Sequence, residues 1–250
     1  MIKAVVFDMG GTLEDLAVTP KSVQTCGEKI LEHLALHGVP LPYDPDVFMK
    51  TAIANGDAYR VWSLTCLREL MPYEQWSLWR MKNMPIDQDI LRAISEDLMF
   101  IWETEYFVRT LRPDAESLLK RLKEKGYALG VISNTGSLTQ VYYSLEAYGI
   151  RKYFETVCLS CISGFRKPHP ILFEMTARNL GLLPEECMYV GDTLTRDVIG
   201  SRRAGYGKCV RIGSFLTGPS DMQVAIRDEE KADADYVVEH LSEIAGLLNI

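Results

Sequence analysis

The chain has 250 residues, 47% of them hydrophobic and 24% charged, an ordinary globular composition that excludes the disordered, collagen-like and coiled-coil classes. At ~150 residues per domain the length corresponds to roughly 1.7 domains, so the chain is one large domain or a domain carrying an insertion. The net charge is −7, from 27 basic and 34 acidic residues, and no long basic run offers the phosphate neutralisation that a nucleic-acid partner demands.

The first element is Ile2 to Phe7, a short apolar run rich in β-branched residues that ends at Asp8 and a pair of glycines. Such a run is expected of a parallel strand covered on both faces. It is too short for a signal peptide, and nowhere do ~18 apolar residues follow one another as a spanning helix requires. A cytoplasmic protein with no membrane contact is therefore expected. From about residue 14 to 109 the pattern changes to amphipathic helices, around Val23–His37, Asp46–Leu70, Tyr73–Lys82 and Ile86–Tyr106, with no convincing strand. This stretch holds all four tryptophans (Trp62, Trp76, Trp79, Trp102) and half of the ten methionines, large side chains suited to the core of a small bundle. One or two of them are candidates for lining a substrate pocket.

Beyond residue 110, helix and strand alternate. Helical patterns at Ala115–Lys125, Thr139–Tyr148, Ile171–Leu180 and Arg196–Ala204 separate apolar runs at Tyr127–Ile132, Thr156–Leu159, Met188–Val190 and Lys208–Ile212, with a weaker run at Tyr236–Val238. The charged stretch Arg227–Lys231 reads as a solvated face. The predicted fold class is α/β: a Rossmann-like, doubly wound parallel sheet formed by residues 1–13 and 110–250, with an all-helical domain over 14–109 inserted into it.

Six cysteines are too sparse for a disulfide scaffold in a chain of this length. Cys158-x-x-Cys161 has no second pair, and a strand there would turn the two thiols to opposite faces, so both are expected to be buried structural residues. His33 and His37 have a helical metal-binding spacing but no evident third ligand, which favours a surface pair.

Ligands of open α/β sheets bind at the carboxyl ends of the strands. Asp8 follows the first strand, Ser133-Asn134 follows the Tyr127–Ile132 run, and Asp192, with Asp197 five residues on, follows Met188–Val190. Lys167 precedes the Ile171 helix. These residues fit phosphoryl transfer. Asp8 can attack phosphorus as a carboxylate nucleophile. Ser133 and nearby backbone N–H groups can hold phosphate oxygens, with Lys167 supplying positive charge. Three clustered aspartates repel one another and a phosphate dianion, which calls for a hard, oxygen-liganded cation, Mg²⁺ being the usual choice.

With these motifs in this order, the chain resembles the haloacid dehalogenase superfamily of phosphohydrolases. Asp8 matches the nucleophile of the first motif, Ser133 the second, Lys167 the third, and Asp192 with Asp197 the acidic fourth. The resemblance implies a Mg²⁺-dependent hydrolase of small phosphorylated metabolites acting through an aspartyl-phosphate. It places phosphate at Ser133, Asn134 and Lys167, and Mg²⁺ at Asp8, the Gly10 carbonyl, Asp192 and Asp197. The insertion between the first two motifs corresponds to a C1 cap. One position departs from the pattern: the phosphatases carry a second Asp two residues after the nucleophile, as general acid and base, and here that residue is Gly10. Such a group is worth roughly 10²–10⁴ in rate, and Glu14 or a cap residue is a candidate to replace it. Two other readings follow from the same departure. One is a phosphonate hydrolase using a cap lysine, with Lys50 the first candidate and Lys21 and Lys29 behind it. The other is a non-catalytic protein that binds a phosphorylated ligand.

Overall fold

The computed structural model describes residues 1–214 and 233–250; the charged run Arg227–Lys231 lies outside the described residues. Each of the six apolar runs forms a strand: β1 (Ala4–Phe7), β4 (Ala128–Ser133), β5 (Thr156–Leu159), β6 (Cys187–Gly191), β7 (Lys208–Ile212) and β8 (Tyr236–Val238). They make one six-stranded sheet in the order β5-β4-β1-β6-β7-β8. Every pairing is parallel, with Ala4 opposite Ala128 and Cys187, and Phe7 opposite Val131 and Val190.

Helices on both faces explain why the central strand β1 carries no polar side chain. Val5 and Phe7 pack into a layer with Leu118, Leu119 and Leu122 of α5 (Ala115–Glu124), with Val141 and Leu145 of α6 (Gln140–Ala147), and with Ile244 of the C-terminal helix α10 (Glu243–Leu247). Ala4 and Val6 point the other way, into a layer with Leu172, Phe173 and Ala177 of α8 (Ile171–Asn179). All four residues of β1 are fully buried. The chain runs outward from β1 in both directions, so the carboxyl end of β1 lies at the point where strand order reverses, the place where open α/β sheets bind ligands.

The regular elements between residues 20 and 106 are all helices: α1 (Pro20–Leu36), α2 (Pro45–Cys66), α3 (Pro72–Gln75) and α4 (Gln88–Ile101), with wider, π-type turns at Trp76–Arg80 and Trp102–Tyr106. They bury their own core, in which Trp76, Trp102, Phe48, Met49, Met81 and Met99 are the large members. Trp62 instead reaches the surface. The expectation that this stretch contains no strand fails at its two ends. Glu14–Ala17 (β2) and Val108–Leu111 (β3) pair antiparallel, with Glu14 opposite Leu111 and Ala17 opposite Val108. A four-residue strand reading Glu-Asp-Leu-Ala has no alternating signal of its own; its partner, 94 residues away, makes it a strand. Among the described residues no helix is long and apolar enough to cross a membrane.

Cys158 lies in β5, but Cys161 is the second residue of the short helix α7 (Ser160–Ser163), so the chain has left the strand before the second thiol. Both are buried and free. They belong to the two different layers of the core, which preserves their structural reading. The His37 ring bonds the His33 carbonyl at 2.8 Å, and His33 faces Asp97 at 3.4 Å. Among the described residues, the only group of three side chains with metal-binding capacity is elsewhere.

Candidate active site

That group is Asp8, Asp192 and Asp197, whose ligand atoms all lie within 4.8 Å of one another. Asp8 extends β1 and Asp192 follows β6, the neighbouring strand, so the sheet itself juxtaposes the two carboxylates. Gly11 sits between them in the turn after β1, with φ +87°, and a Cβ there would meet Asp192 Oδ2 at 2.4 Å. Only glycine fits this place, for both conformation and space.

Lys167 ties the cluster together. Its Nζ lies 2.8 Å from Asp8 Oδ1 and 2.6 Å from Asp197 Oδ1, and donates to the Tyr189 hydroxyl at 2.9 Å. Burial opposes its charge, but Asp197 and Asp8 outweigh that and hold the ammonium above the usual lysine range. Asp197 has both oxygens engaged: Oδ1 by Lys167, Oδ2 by the N–H of Thr193 at 3.0 Å and by the Thr193 hydroxyl. Burial works against its charge too, yet Lys167, Arg196 and these hydrogen bonds keep its carboxyl below the usual range. Its direct work in the site is to hold Lys167. Asp8 differs, since burial, helped by Asp197, raises its carboxyl despite Lys167.

Asp192 is fully buried and neither of its oxygens has a hydrogen-bond partner. Burial, then Asp197 and Asp8, push its carboxyl up to about 8. An unpartnered buried carboxylate costs several kcal/mol as an isolated ion, on the order of the effective desolvation penalty per charge. A hard divalent cation with oxygen ligands removes that cost, so the donor set here suits one.

Ser133 ends β4 and lines a cavity of about 260 Å³ over Asp8, together with Asn134 and Lys167. Asn134 has a further task. Its Oδ1 accepts the Lys167 N–H at 2.8 Å and its Nδ2 donates to the Lys167 carbonyl at 3.2 Å, which fixes the backbone that carries the lysine. Of the predicted site residues, Asp8, Gly10, Ser133, Asn134 and Lys167 line this cleft, while Asp192 and Asp197 lie against Asp8 without lining it.

The candidate replacements for the missing acid fare differently. Glu14 is completely buried and its carboxylate is taken up by Arg109 and by the Tyr148 hydroxyl, the latter at 2.8 Å; it does not line the cleft. Lys21, Lys29 and Lys50 are exposed and none lines the cleft, so no lysine from the helices is placed to meet a substrate aldehyde. Beside Gly10 the structure places an apolar group, since a Cβ at residue 10 would meet Leu16 Cδ1 at 2.9 Å. Leu16 belongs to the strand pair that the sequence does not reveal.

Several lining residues carry no sequence signal as site residues. Arg60 comes from α2 and Glu103 from the turn after α4, while Arg166 and Arg196 stand next to or inside the quoted motifs. Glu103 is bound by Arg109, through Nη2 at 2.7 Å. A second cavity of about 360 Å³, walled by Trp102, Tyr106 and Phe107, shares Arg60, Asn134 and Arg166 with the first. Trp102 is the tryptophan that lines this second cavity.

Comparison with known proteins agrees with this geometry. The chain is 26% identical over 257 aligned positions to a glyceraldehyde 3-phosphate phosphatase of Pyrococcus furiosus, covering 99% of this chain and 93% of the relative. It is 30% identical over 222 positions to a phosphoglycolate phosphatase of Salmonella typhimurium, covering 85% and 81%. Among solved structures, the magnesium-bound hydrolase YfnB of Bacillus subtilis superposes with a TM-score of 0.59 at 18% identity, covering 100% of this chain and 99% of the other, and shares the fold. Residues 2–205, a span that runs from the first strand past Asp197, match the family model of the haloacid dehalogenase-like hydrolases, and the chain belongs to that family of enzymes.

Proposed function

We propose that the protein is a phosphomonoesterase that acts on small phosphorylated metabolites through an aspartyl-phosphate on Asp8. The observation that carries this reading is the Lys167 ammonium held between Asp8 and Asp197 beside an unpartnered Asp192. The names of the two phosphatase relatives point the same way. Asp8 attacks phosphorus and the phosphorus–oxygen bond to the leaving group breaks; water then attacks the acyl phosphate, releasing inorganic phosphate and regenerating the carboxylate. Lys167 and the Ser133 hydroxyl hold the non-bridging oxygens. Tyr189 and Asn134 keep Lys167 in position. Asp8, the Gly10 carbonyl and Asp192, with Asp197 behind them, would hold Mg²⁺. When bound there it shields the carboxylates from the phosphate dianion and polarises the phosphoryl oxygens.

Residues 14–109 act in this reading as a cap that excludes water from the cleft, because they supply Arg60 and Glu103 to its lining from outside the sheet. The direct test is phosphate release by purified protein, with and without Mg²⁺, from p-nitrophenyl phosphate, glyceraldehyde 3-phosphate, phosphoglycolate and a phosphonoaldehyde. Mg²⁺-dependent release from the phosphate esters is expected. No release from any of them would discard the enzyme reading in favour of a phosphate-ligand-binding protein.

The contact of Leu16 with position 10 shapes a second test. Gly10→Asp alone brings the new Cβ to 2.9 Å from Leu16 Cδ1, so the double variant Gly10→Asp, Leu16→Ala, which relieves that contact, is the one expected to gain activity. Alkyl phosphates need a proton on the leaving oxygen and aryl phosphates do not. The alkyl-to-aryl ratio of kcat/KM should rise, by at most the ~10²–10⁴ available to a well-placed general acid. An unchanged ratio in a folded double variant would mean that position 10 is not where the acid is missing.

A further inference from the structure

The cleft over Asp8 is lined by five cationic side chains and only two carboxylates. Most of these charges are already answered. Lys167 is engaged by Asp8 and Asp197, Arg109 by Glu14 and Glu103, and Arg166 faces Glu69 at 3.6 Å. Arg196 acts on all three aspartates of the cluster. Arg60 is different. Among the described residues no carboxylate lies within ion-pairing distance of its guanidinium, and the charges that act on it most strongly are Arg196 and Arg166, with Asp57, an exposed residue one turn earlier on α2, as the weaker counterweight. Half-burial and these two neighbours lower its affinity for its proton. The Nε of Arg166 is also buried without a partner.

Drawing like charges together in a partly desolvated cleft is unfavourable unless an anion completes the group. The transferring phosphoryl group is not that anion, since Lys167, Ser133 and the cation site already serve it. Arg60 and Arg166 instead line both the cleft and the second cavity, which Asp8 does not line. We propose that Arg60, with Arg166 and Arg196, receives a second anionic group of the substrate, so that the preferred substrates are short phosphomonoesters bearing a carboxylate or a second phosphate. This deepens the phosphatase reading and rests on it. Because Arg60 comes from α2 and the other two arginines from the α/β core, the same anion draws the helices onto the cleft.

Matched substrates test it. 3-Phosphoglycerate and glyceraldehyde 3-phosphate differ only in a carboxylate against an aldehyde; propane-1,3-diol bisphosphate and its monophosphate differ only in the second phosphate. A charge-assisted hydrogen bond to arginine corresponds to about 10- to 100-fold in affinity, so kcat/KM should favour the anionic member of at least one pair by that factor, mainly through KM. Which pair responds identifies the anion. In Arg60→Met the preference should collapse towards unity, and Arg60→Lys should restore part of it. Equal rates on both members of both pairs in the wild type, or an equal fall on both in Arg60→Met, would overturn the proposal while p-nitrophenyl phosphate hydrolysis kept the phosphatase reading standing. If nothing is hydrolysed, calorimetric titration of Asp8→Asn with the four compounds decides the proposal separately. Tighter binding of the anionic members, lost on adding Arg60→Met, supports it, and equal binding overturns it.

Discussion

Asp8→Asn is expected to lower turnover by at least about 10³-fold, the scale on which covalent enzymes lose rate when the nucleophile is removed, while the protein stays folded. An amide oxygen cannot displace an alkoxide from phosphorus. The fold should tolerate the change because the Asp8 carboxyl is buried and lifted above its usual range, so an uncharged isostere removes a costly group. Lys167 keeps Asp197 and Tyr189. Rapid quenching with labelled substrate gives the sharper readout: the wild type should carry acid-stable, hydroxylamine-labile phosphate on the protein, and Asp8→Asn none. Label persisting in the variant at wild-type level would place the nucleophile on another residue.

Replacing Asp192 by Asn is expected to move stability and metal response in opposite directions. The Asp192 carboxyl titrates at about 8 in the folded protein against an ordinary value of 3.8, so between those values the native state holds a proton that the unfolded chain has released. Stability of the metal-free protein therefore falls as pH rises from about 4 to about 8 and levels off above. Asn carries no such penalty. At pH 8 to 9 the metal-free variant should be more stable by on the order of 1–3 kcal/mol, the cost of a buried unsatisfied group, or about 2–10 °C in Tm for a chain of this size. Added Mg²⁺ should raise the Tm of the wild type, more at pH 8 than at pH 6 because the ligand must be deprotonated, and should leave Asp192→Asn unmoved. Melting curves at two pH values with and without MgCl₂ settle both halves. A variant that is less stable at pH 9 and still responds to Mg²⁺ would mean that Asp192 is structural and the cation sits elsewhere.

The α/β core was legible because its signals are local. β4, β5, β6 and β8 are apolar runs each followed within a few residues by a helix, and Asp8, Ser133 and Asp192 stand at strand ends, where open α/β sheets bind ligands. Lys167 lies in a loop and Asp197 in the helical turn Leu194–Val198, and only the order of the four motifs marks them. What was not legible is whatever depends on partners distant in sequence. β2 exists only because Val108–Leu111 comes back to pair with it, and with it come the burial of Glu14 and the placing of Leu16 against Gly10. Tyr189 reads as one more apolar strand residue until its hydroxyl is seen on Lys167. Arg60 is one of several charges on a long amphipathic helix, and which of them turns inward depends on how that helix packs.

The ribbon formed by β2 and β3 fixes how this enzyme can diversify. It brings Ala17 opposite Val108, so the 90-residue excursion between them begins and ends at one place and its length is invisible to the hydrogen-bond ladder of the sheet. Loop closure costs only about 0.6 kcal/mol for each doubling of length, and the excursion buries its own core from residues 26–102. Insertions or deletions there would reshape the walls that Arg60, Trp102 and Glu103 contribute without disturbing the Lys167 bridge beneath, as long as the backbone contacts of residues 67–69 with Gly164 and Arg166, beside Lys167, are kept. Substrate range and chemistry can therefore evolve on separate clocks within a single chain.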